Sequence, residues 1–411
     1  MPPSPTAPVT SLYVHVPFCA RKCQYCAFYS EAADGETIAR YVAALTREME
    51  RVAPRLRPRT VFFGGGTPSL LSVVQWEQVF QAMDRLGLLG AVEWTVECNP
   101  ATVSEAKARL LRDHGVNRLS LGVQSLDEAL LDRLGRIHSR EQVFKSFDLL
   151  RKAGFDNLNL DLMFAIPGQT MESWQATLRE ALALGSEHLS SYEVIYEEDT
   201  PLFHQLKAGE FDVDEDLACA MYEELVQQAT HVGYRQYEIA NFARDVRRGS
   251  PPSAGVPPPG ELPAFACRHN VNYWSGGDFF GLGPGATTYV RGVRTKNVSN
   301  TRLYCERLEA GERPLEFREE LSPLGRAGET AAFGLRMVAG WPFDEFTRVT
   351  GFDLRAEWAA EMRALVQQGN AEWDESGFRL TPRGLRFADA AAEMFLRSGD
   401  ELASSAGKER A

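Results

Sequence analysis

The chain lacks a surplus of positive charge: 44 Lys and Arg stand against 56 Asp and Glu, a net charge of −12 at pH 7. Counterion release on a polyanion needs the opposite balance, so a general nucleic-acid or anionic-membrane binder is excluded. A long apolar run is also missing. The uncharged stretch Thr60–Trp76 is interrupted by Gly64-Gly65-Gly66 and Pro68, which rules it out as a hydrocarbon-spanning helix. The first ten residues, MPPSPTAPVT, have neither a basic nor an apolar region of the kind that opens a secretory signal. A cytoplasmic protein without a membrane span is therefore expected. Nor is there an even set of cysteines. Of the seven, three fall within eight residues, at Cys19, Cys23 and Cys26, a spacing that suits metal binding in a reducing compartment better than a disulfide framework.

What is present is a globular composition, 44% hydrophobic and 10% aromatic, over 411 residues. That length exceeds what one core usually organises, so a large domain and a smaller one are expected. Six apolar or alternating runs, near Leu12–Val16, Thr60–Phe63, Val92–Glu97, Arg118–Val123, Leu158–Leu162 and Leu189–Ile195, precede helical patterns. After the first run, Ile38, Tyr41, Val42, Leu45, Met49 and Val52 recur at helical spacing; Val143, Phe144, Phe147 and Leu150 do so before Gly154. Strand–helix repetition implies parallel strands with right-handed crossovers, and six units suggest an incomplete (β/α)6-type barrel, with a doubly wound sheet as the alternative.

Four of these strands alternate in a way that bears on function. Val92, Trp94 and Val96 alternate with Glu93, Thr95 and Glu97; Leu119, Leu121 and Val123 with Ser120, Gly122 and Gln124; Leu158, Leu160 and Leu162 with Asn159 and Asp161; Leu12, Val14 and Val16 with Tyr13 and His15. Strands covered by helices on one side and enclosing a ligand on the other would read this way. A solvated edge face would explain any one of them alone.

Downstream, the proline-rich segment Val246–Pro263 reads as a loop or linker, and Cys267–Arg291 is dense in aromatics and glycines. The last hundred residues return to helical patterns, with a possible hairpin over Ala371–Leu380. They suggest a smaller, mainly α-helical, winged-helix-like domain. Its 13 basic and 18 acidic residues over Gly311–Ala411 argue against DNA binding.

The sharpest local signal is CARKCQYC, a Cys-x3-Cys-x2-Cys directly after the first strand. Structural zinc usually takes four ligands from paired knuckles, and no second pair follows. An iron–sulfur cluster fits better, because three thiolates on a four-iron cube leave one iron open to an outside ligand.

Cys19, Cys23 and Cys26, with Tyr25 between the last two, resemble the signature of the radical S-adenosylmethionine (SAM) superfamily. The resemblance implies a 4Fe-4S cluster whose open iron chelates SAM and whose electron cleaves it to a 5′-deoxyadenosyl radical. It also implies a cofactor shell: Tyr13 and Tyr25; the glycine motif Gly64-Gly65-Gly66-Thr67-Pro68, in which Gly65, Gly66 and Thr67 approach SAM; Glu97 and Asp161 as acceptors for ribose hydroxyls; Gln124 near the methionine moiety; and Arg136 for its carboxylate. SLYVHVPFCARKCQYCAFYS, FFGGGTPSLL, VECNPATV, RLSLGVQSLDEALLDRLGRIH, NLDLMFAIPGQT and RHNVNYW resemble the coproporphyrinogen oxidase-like branch, and its HemW members in particular, over Ser11–Asn300.

The oxidase pattern carries a fourth cysteine where this chain has Phe28, and a longer N-terminal arm than the ten residues before the first strand here. HemW members often have an acidic residue where Ala27 stands. The resemblance implies a heme chaperone that passes heme to an acceptor protein; oxygen-independent coproporphyrinogen III oxidase is the alternative. His269, in the HNxxYW pattern His269–Trp274, is the expected heme ligand, with Cys267 two residues away, and His269→Ala is expected to weaken heme binding. A histidine satisfied inside an aromatic core is the competing reading. The expected division is a barrel core with the cluster and SAM sites over 1–245, a Pro-rich loop and HNxxYW segment over 246–310, and the C-terminal domain over 311–411.

Overall fold

A computed structural model describes residues 7–246 and 261–397. The proline-rich segment expected as a linker falls mostly in 247–260, outside the described residues. Strands β1 (Val9–Val16), β2 (Leu56–Gly65), β3 (Glu93–Cys98), β4 (Arg118–Gln124), β5 (Leu158–Phe164) and β6 (His188–Glu193) lie side by side in sequence order, every neighbouring pair parallel. A doubly wound sheet would reverse its strand order midway; this one does not, so it is an open barrel wound in one direction. β7 (Arg235–Glu238) and β8 (Asn241–Ala243) extend it antiparallel beyond β6, and β9 (Phe280–Leu282) pairs in parallel with β1 at the other edge.

Helices α1 (Gly35–Val52), α2 (Val73–Arg85), α3 (Glu105–Asp113), α4 (Glu128–Arg133), α5 (Arg140–Lys152) and α6 (Met171–Leu184) follow the strands. Their starts are written locally. Asp34 caps α1, and Ser72, Ser139 and Thr170 close capping boxes with Gln75, Gln142 and Ser173. The apolar positions of α1 read at helical spacing, Tyr41, Val42, Leu45, Met49 and Val52, are all buried in the main core with Val14, Val16 and Phe63 of the sheet. Each such side chain contributes about 1.5–3 kcal/mol of transfer free energy. The outward strand positions Trp94, Val96, Leu119, Leu121, Leu158 and Leu160 belong to the same core. Val92 does not: it precedes β3 and is exposed.

Beyond β6 come α7 (Pro201–Lys207) and α8 (Glu215–His231), then α9 (Arg268–Trp274). Strands β10 (Thr287–Val290), β11 (Val293–Asn297) and β12 (Leu315–Glu320) form a small antiparallel sheet, and α10 (Thr301–Glu309) packs on α1. A second core, around Trp341, Phe346, Trp358, Phe378 and Phe395, gathers α11 (Pro323–Gly334), further short helices, and the sheet of β13 (Trp341–Pro342), β14 (Ala371–Trp373) and β15 (Gly377–Leu380). β14 and β15 pair as the hairpin read from the sequence. This separate, mainly helical unit joins the barrel through backbone bonds from Ile239 N–H to Arg336 C=O and from Val338 N–H to Tyr237 C=O. Among the described residues no helix is long and apolar enough to cross a membrane.

Candidate functional site

Parallel strands deliver their carboxyl ends to one rim, and there a cavity of about 570 Å³ opens. The loop after β1 forms one wall. Its stem is held by Cys19 N–H donating to Glu31 C=O (3.0 Å) and Glu31 N–H to Pro17 C=O (2.8 Å). Its apex is pinned at Gln24, whose N–H donates to Leu134 C=O and whose C=O accepts from Leu202 N–H, both at 3.0 Å. From beneath, His15 Nε2–H donates to Tyr29 C=O (2.8 Å), which leaves Nδ1 to accept from Tyr13 O–H (3.0 Å). The three thiols of Cys19, Cys23 and Cys26 line this wall. Among the described residues no three His, Cys, Asp or Glu side chains are gathered on a point as a single metal ion requires. Burial pushes the Cys26 thiol up to about 11, so iron must displace its proton on binding.

The glycine loop after β2 continues the pairing with β1 past the strand: Gly66 N–H donates to Val16 C=O (2.9 Å) and Thr67 N–H to Phe18 C=O (2.7 Å). Thr67 Oγ1 lies 3.5 Å from Cys19 Sγ, joining this loop to the thiols. Gly65 has φ +99°, and a Cβ there would stand 2.3 Å from the His15 ring. Bare backbone is required on both counts. Its N–H instead donates to Glu97 Oε2 at 3.1 Å.

Glu97 and Asp161 line the cavity from β3 and β5, on either side of β4. Burial first, and then the charge of Asp161, push the Glu97 carboxyl up to about 8. Burial also raises Asp161, against hydrogen bonds from Ser120 Oγ (2.9 Å) and Asn159 Nδ2 (2.7 Å). Gln124 closes β4 with φ +65°, at a register shift against β5 that turns its side chain into the cavity. Arg136 donates from Nη2 to Gly122 C=O (2.6 Å) and from Nη1 to Cys23 Sγ (3.4 Å), while its buried Nε has no partner.

Eleven of the thirteen residues singled out from the sequence thus line one cavity: Cys19, Cys23, Cys26, Tyr25, Gly65, Gly66, Thr67, Glu97, Gln124, Arg136 and Asp161. Two are not among its lining residues. Tyr13 lies below, with its hydroxyl spent on His15.

His269 sits on α9 against the opposite, amino-terminal half of the strands, 1% exposed. Thr60 Oγ1 donates to Ser11, so it accepts from His269 Nδ1–H (3.0 Å), and Nε2 accepts from Tyr273 O–H (2.8 Å). The backbone N–H groups of Arg268 and His269 both donate to Glu93 at 2.9 Å, and the ring stacks on Phe62. Burial lowers the imidazole to about 3. His269, the expected heme ligand, has both ring nitrogens hydrogen-bonded in this structure, as the competing reading of a histidine satisfied inside an aromatic core describes, and its helix packs under the barrel floor. Cys267, fully buried against Glu93, is no more accessible.

Sequence reasoning missed Phe28, Ile137, Tyr192, Ile195, Met163 and Cys98 as lining residues. Met163, two residues after Asp161 on β5, and Tyr192 on β6 had a periodic signal; Phe28, Ile137 and Ile195 stand in loops.

The chain matches the Radical SAM superfamily over residues 13–181 and the HemN C-terminal domain over residues 321–387. It is 32% identical to the heme chaperone HemW of Lactococcus lactis, over 94% of this chain and 97% of that protein. With heme chaperone HemW of Escherichia coli K12 it shares 32% identity over 95% and 98%. A mouse relative, radical S-adenosyl methionine domain-containing protein 1, mitochondrial, is 36% identical over 95% of this chain and 88% of its own length. The solved structure of coproporphyrinogen III oxidase (HemN) from E. coli shares the fold, with a TM-score of 0.79 at 22% identity, covering 95% of this chain and 90% of that one.

Proposed function

Because the chain belongs to the HemW family, we propose that it is a heme chaperone: it binds heme and transfers it to an acceptor protein, in the cytoplasm, while carrying a 4Fe-4S cluster and SAM in the barrel cavity. The observation that carries the cofactor half of this reading is the meeting of three thiols, a glycine loop and two carboxylates in one cavity. The residues fit those groups. Cys19, Cys23 and Cys26 would hold the cluster. The unpartnered Nε of Arg136 awaits an anionic ligand atom, the bare Gly65–Gly66 backbone gives close approach, and Glu97 and Asp161 offer acceptors for hydroxyls. When bound, cluster and SAM together supply one-electron cleavage of a sulfonium bond. The chain's part is to anchor the thiol loop at both ends and at Gln24, and to orient the ligand between the two carboxylates and the guanidinium.

The chaperone half rests on the near full-length similarity to proteins of that name. Anaerobic reconstitution with iron and sulfide, followed by separate titrations with heme and coproporphyrinogen III, tests both halves. The expected result is an iron–sulfur chromophore, one heme per chain and no turnover of the porphyrinogen. Zinc in place of iron would overturn the cofactor assignment. Anaerobic conversion of coproporphyrinogen III to its divinyl product with release of carbon dioxide would make the protein an oxidase.

A further inference from the structure

The cavity is polar within and apolar at its mouth. Phe28, Ile137, Tyr192 and Ile195 line it while remaining 67%, 41%, 41% and 65% exposed. They come from three separate segments: the thiol loop, the turn after α4, and the end of β6 with the loop beyond it. Large apolar side chains scattered singly over a surface need no explanation, but four converging on one opening mark a contact surface for an apolar partner.

Size and the apolar character of the rim select the occupant. The interior, about 570 Å³, is of the order that one drug-sized ligand fills. With cluster and SAM inside, a tetrapyrrole can only lie across the opening. Arg21 lines the same opening and Lys22 follows it, both exposed, while Glu193 and Glu197 line it from the end of β6 and the loop beyond, so carboxylate side chains on the macrocycle edge would meet cations on the thiol-loop side. Elsewhere, the aromatic cavity beside Tyr273, Trp274 and Phe333 holds only about 230 Å³, below the usual ligand range; a broader, more open groove of about 700 Å³ on the C-terminal unit is lined mainly by charged and polar side chains, Arg355, Arg363, Gln367, Asp374 and Glu375; and both ring nitrogens of His269 are hydrogen-bonded in the floor.

Resting on the chaperone reading above, we propose that heme lies across the mouth of the barrel cavity, with one face on Phe28, Ile137 and Ile195, and so closes the chamber that holds SAM. Heme loading and SAM exchange are then coupled, and by linkage each ligand affects the retention of the other. Phe28 is the residue that makes this lid seat apolar, at the position where the oxidase pattern has a cysteine.

The test uses the full-length, anaerobically reconstituted protein. Radiolabelled SAM is bound, and its release is followed by rapid filtration with and without one equivalent of heme. Release at least tenfold slower with heme is expected. In Phe28→Asp and in Ile195→Asp, heme affinity measured by absorbance titration should fall at least tenfold, with iron content unchanged and the effect of heme on SAM release lost. Both side chains are mostly exposed, so neither substitution opens a core. SAM release indifferent to heme, or wild-type heme affinity in both variants, would place heme elsewhere and overturn this inference while leaving the chaperone reading standing. Wild-type protein that binds no heme at all would overturn both.

Discussion

Glu97 offers the most direct quantitative check. In the cofactor-free fold its half-buried carboxyl is held at about 8 against an ordinary 4.5, by burial and by Asp161. A carboxyl whose folded value is raised stays protonated in the native state while the unfolded chain ionises near 4.5. Stability therefore falls as pH rises from about 4.5 to about 8 and stays at the lower level above. A shift of this size corresponds to about 5 kcal/mol when the group is fully ionised. Water in the open cavity screens much of it, leaving on the order of 1–2 kcal/mol.

Glu97→Gln removes the titration and keeps an amide oxygen for the Gly65 N–H. Thermal melting of both cofactor-free proteins from pH 5 to pH 9 should give nearly equal midpoints at the acid end and a more stable variant at the alkaline end. The other buried acids, Glu48 and Glu238, tilt both curves alike. SAM affinity supplies a second readout. If the carboxylate form accepts from a ribose hydroxyl, wild-type affinity rises by up to tenfold per pH unit from pH 6 to about 8 and then levels, whereas the variant is flat. Parallel melting curves for the two proteins would refute the assignment of a raised carboxyl at this position.

Replacing Cys19, Cys23 or Cys26 singly by Ala should abolish the iron–sulfur absorbance with far-UV circular dichroism retained; a variant that still assembles a full cluster would remove that cysteine from the ligand set. Gly65→Ala forces a Cβ into the His15 ring at a positive φ, so it should destabilise the fold by about 2–4 kcal/mol and weaken SAM binding in equilibrium dialysis. His269→Ala leaves the hydroxyls of Thr60 and Tyr273 without their partner. Chemical denaturation should register a loss of about 2–3 kcal/mol, yet heme affinity should stay within twofold of wild type; a large drop in a folded variant would restore His269 as the iron ligand.

Much of the barrel was legible because its signals are local. Period-two alternation in β3, β4 and β5 identified both the strands and their polar face, since a pleat sends neighbours to opposite sides. Capping residues wrote the helix starts, and the thiol loop announced itself by spacing. Ten of the eleven site residues that met in one cavity stood at the carboxyl end of a strand or in the loop directly after it, and parallel strands share that rim, while Arg136 reaches it from the turn after α4.

Other features depend on residues far apart in the chain. The sequence places His269 beside aromatics but cannot say that Thr60, some two hundred positions earlier, occupies one of its nitrogens, or that Glu93 anchors the helix that carries it. Nor does any pattern in Phe28, Ile137 or Ile195 reveal that they share one opening, because loops carry no periodicity and their meeting depends on how far the sheet curls. Composition, spacing and alternation by themselves determined a parallel strand–helix architecture, the thiol trio and the polar lumen. Strand order, register and closure, which bring distant side chains within hydrogen-bond reach, alone decided which groups stay free for a ligand and which are consumed in holding the barrel shut.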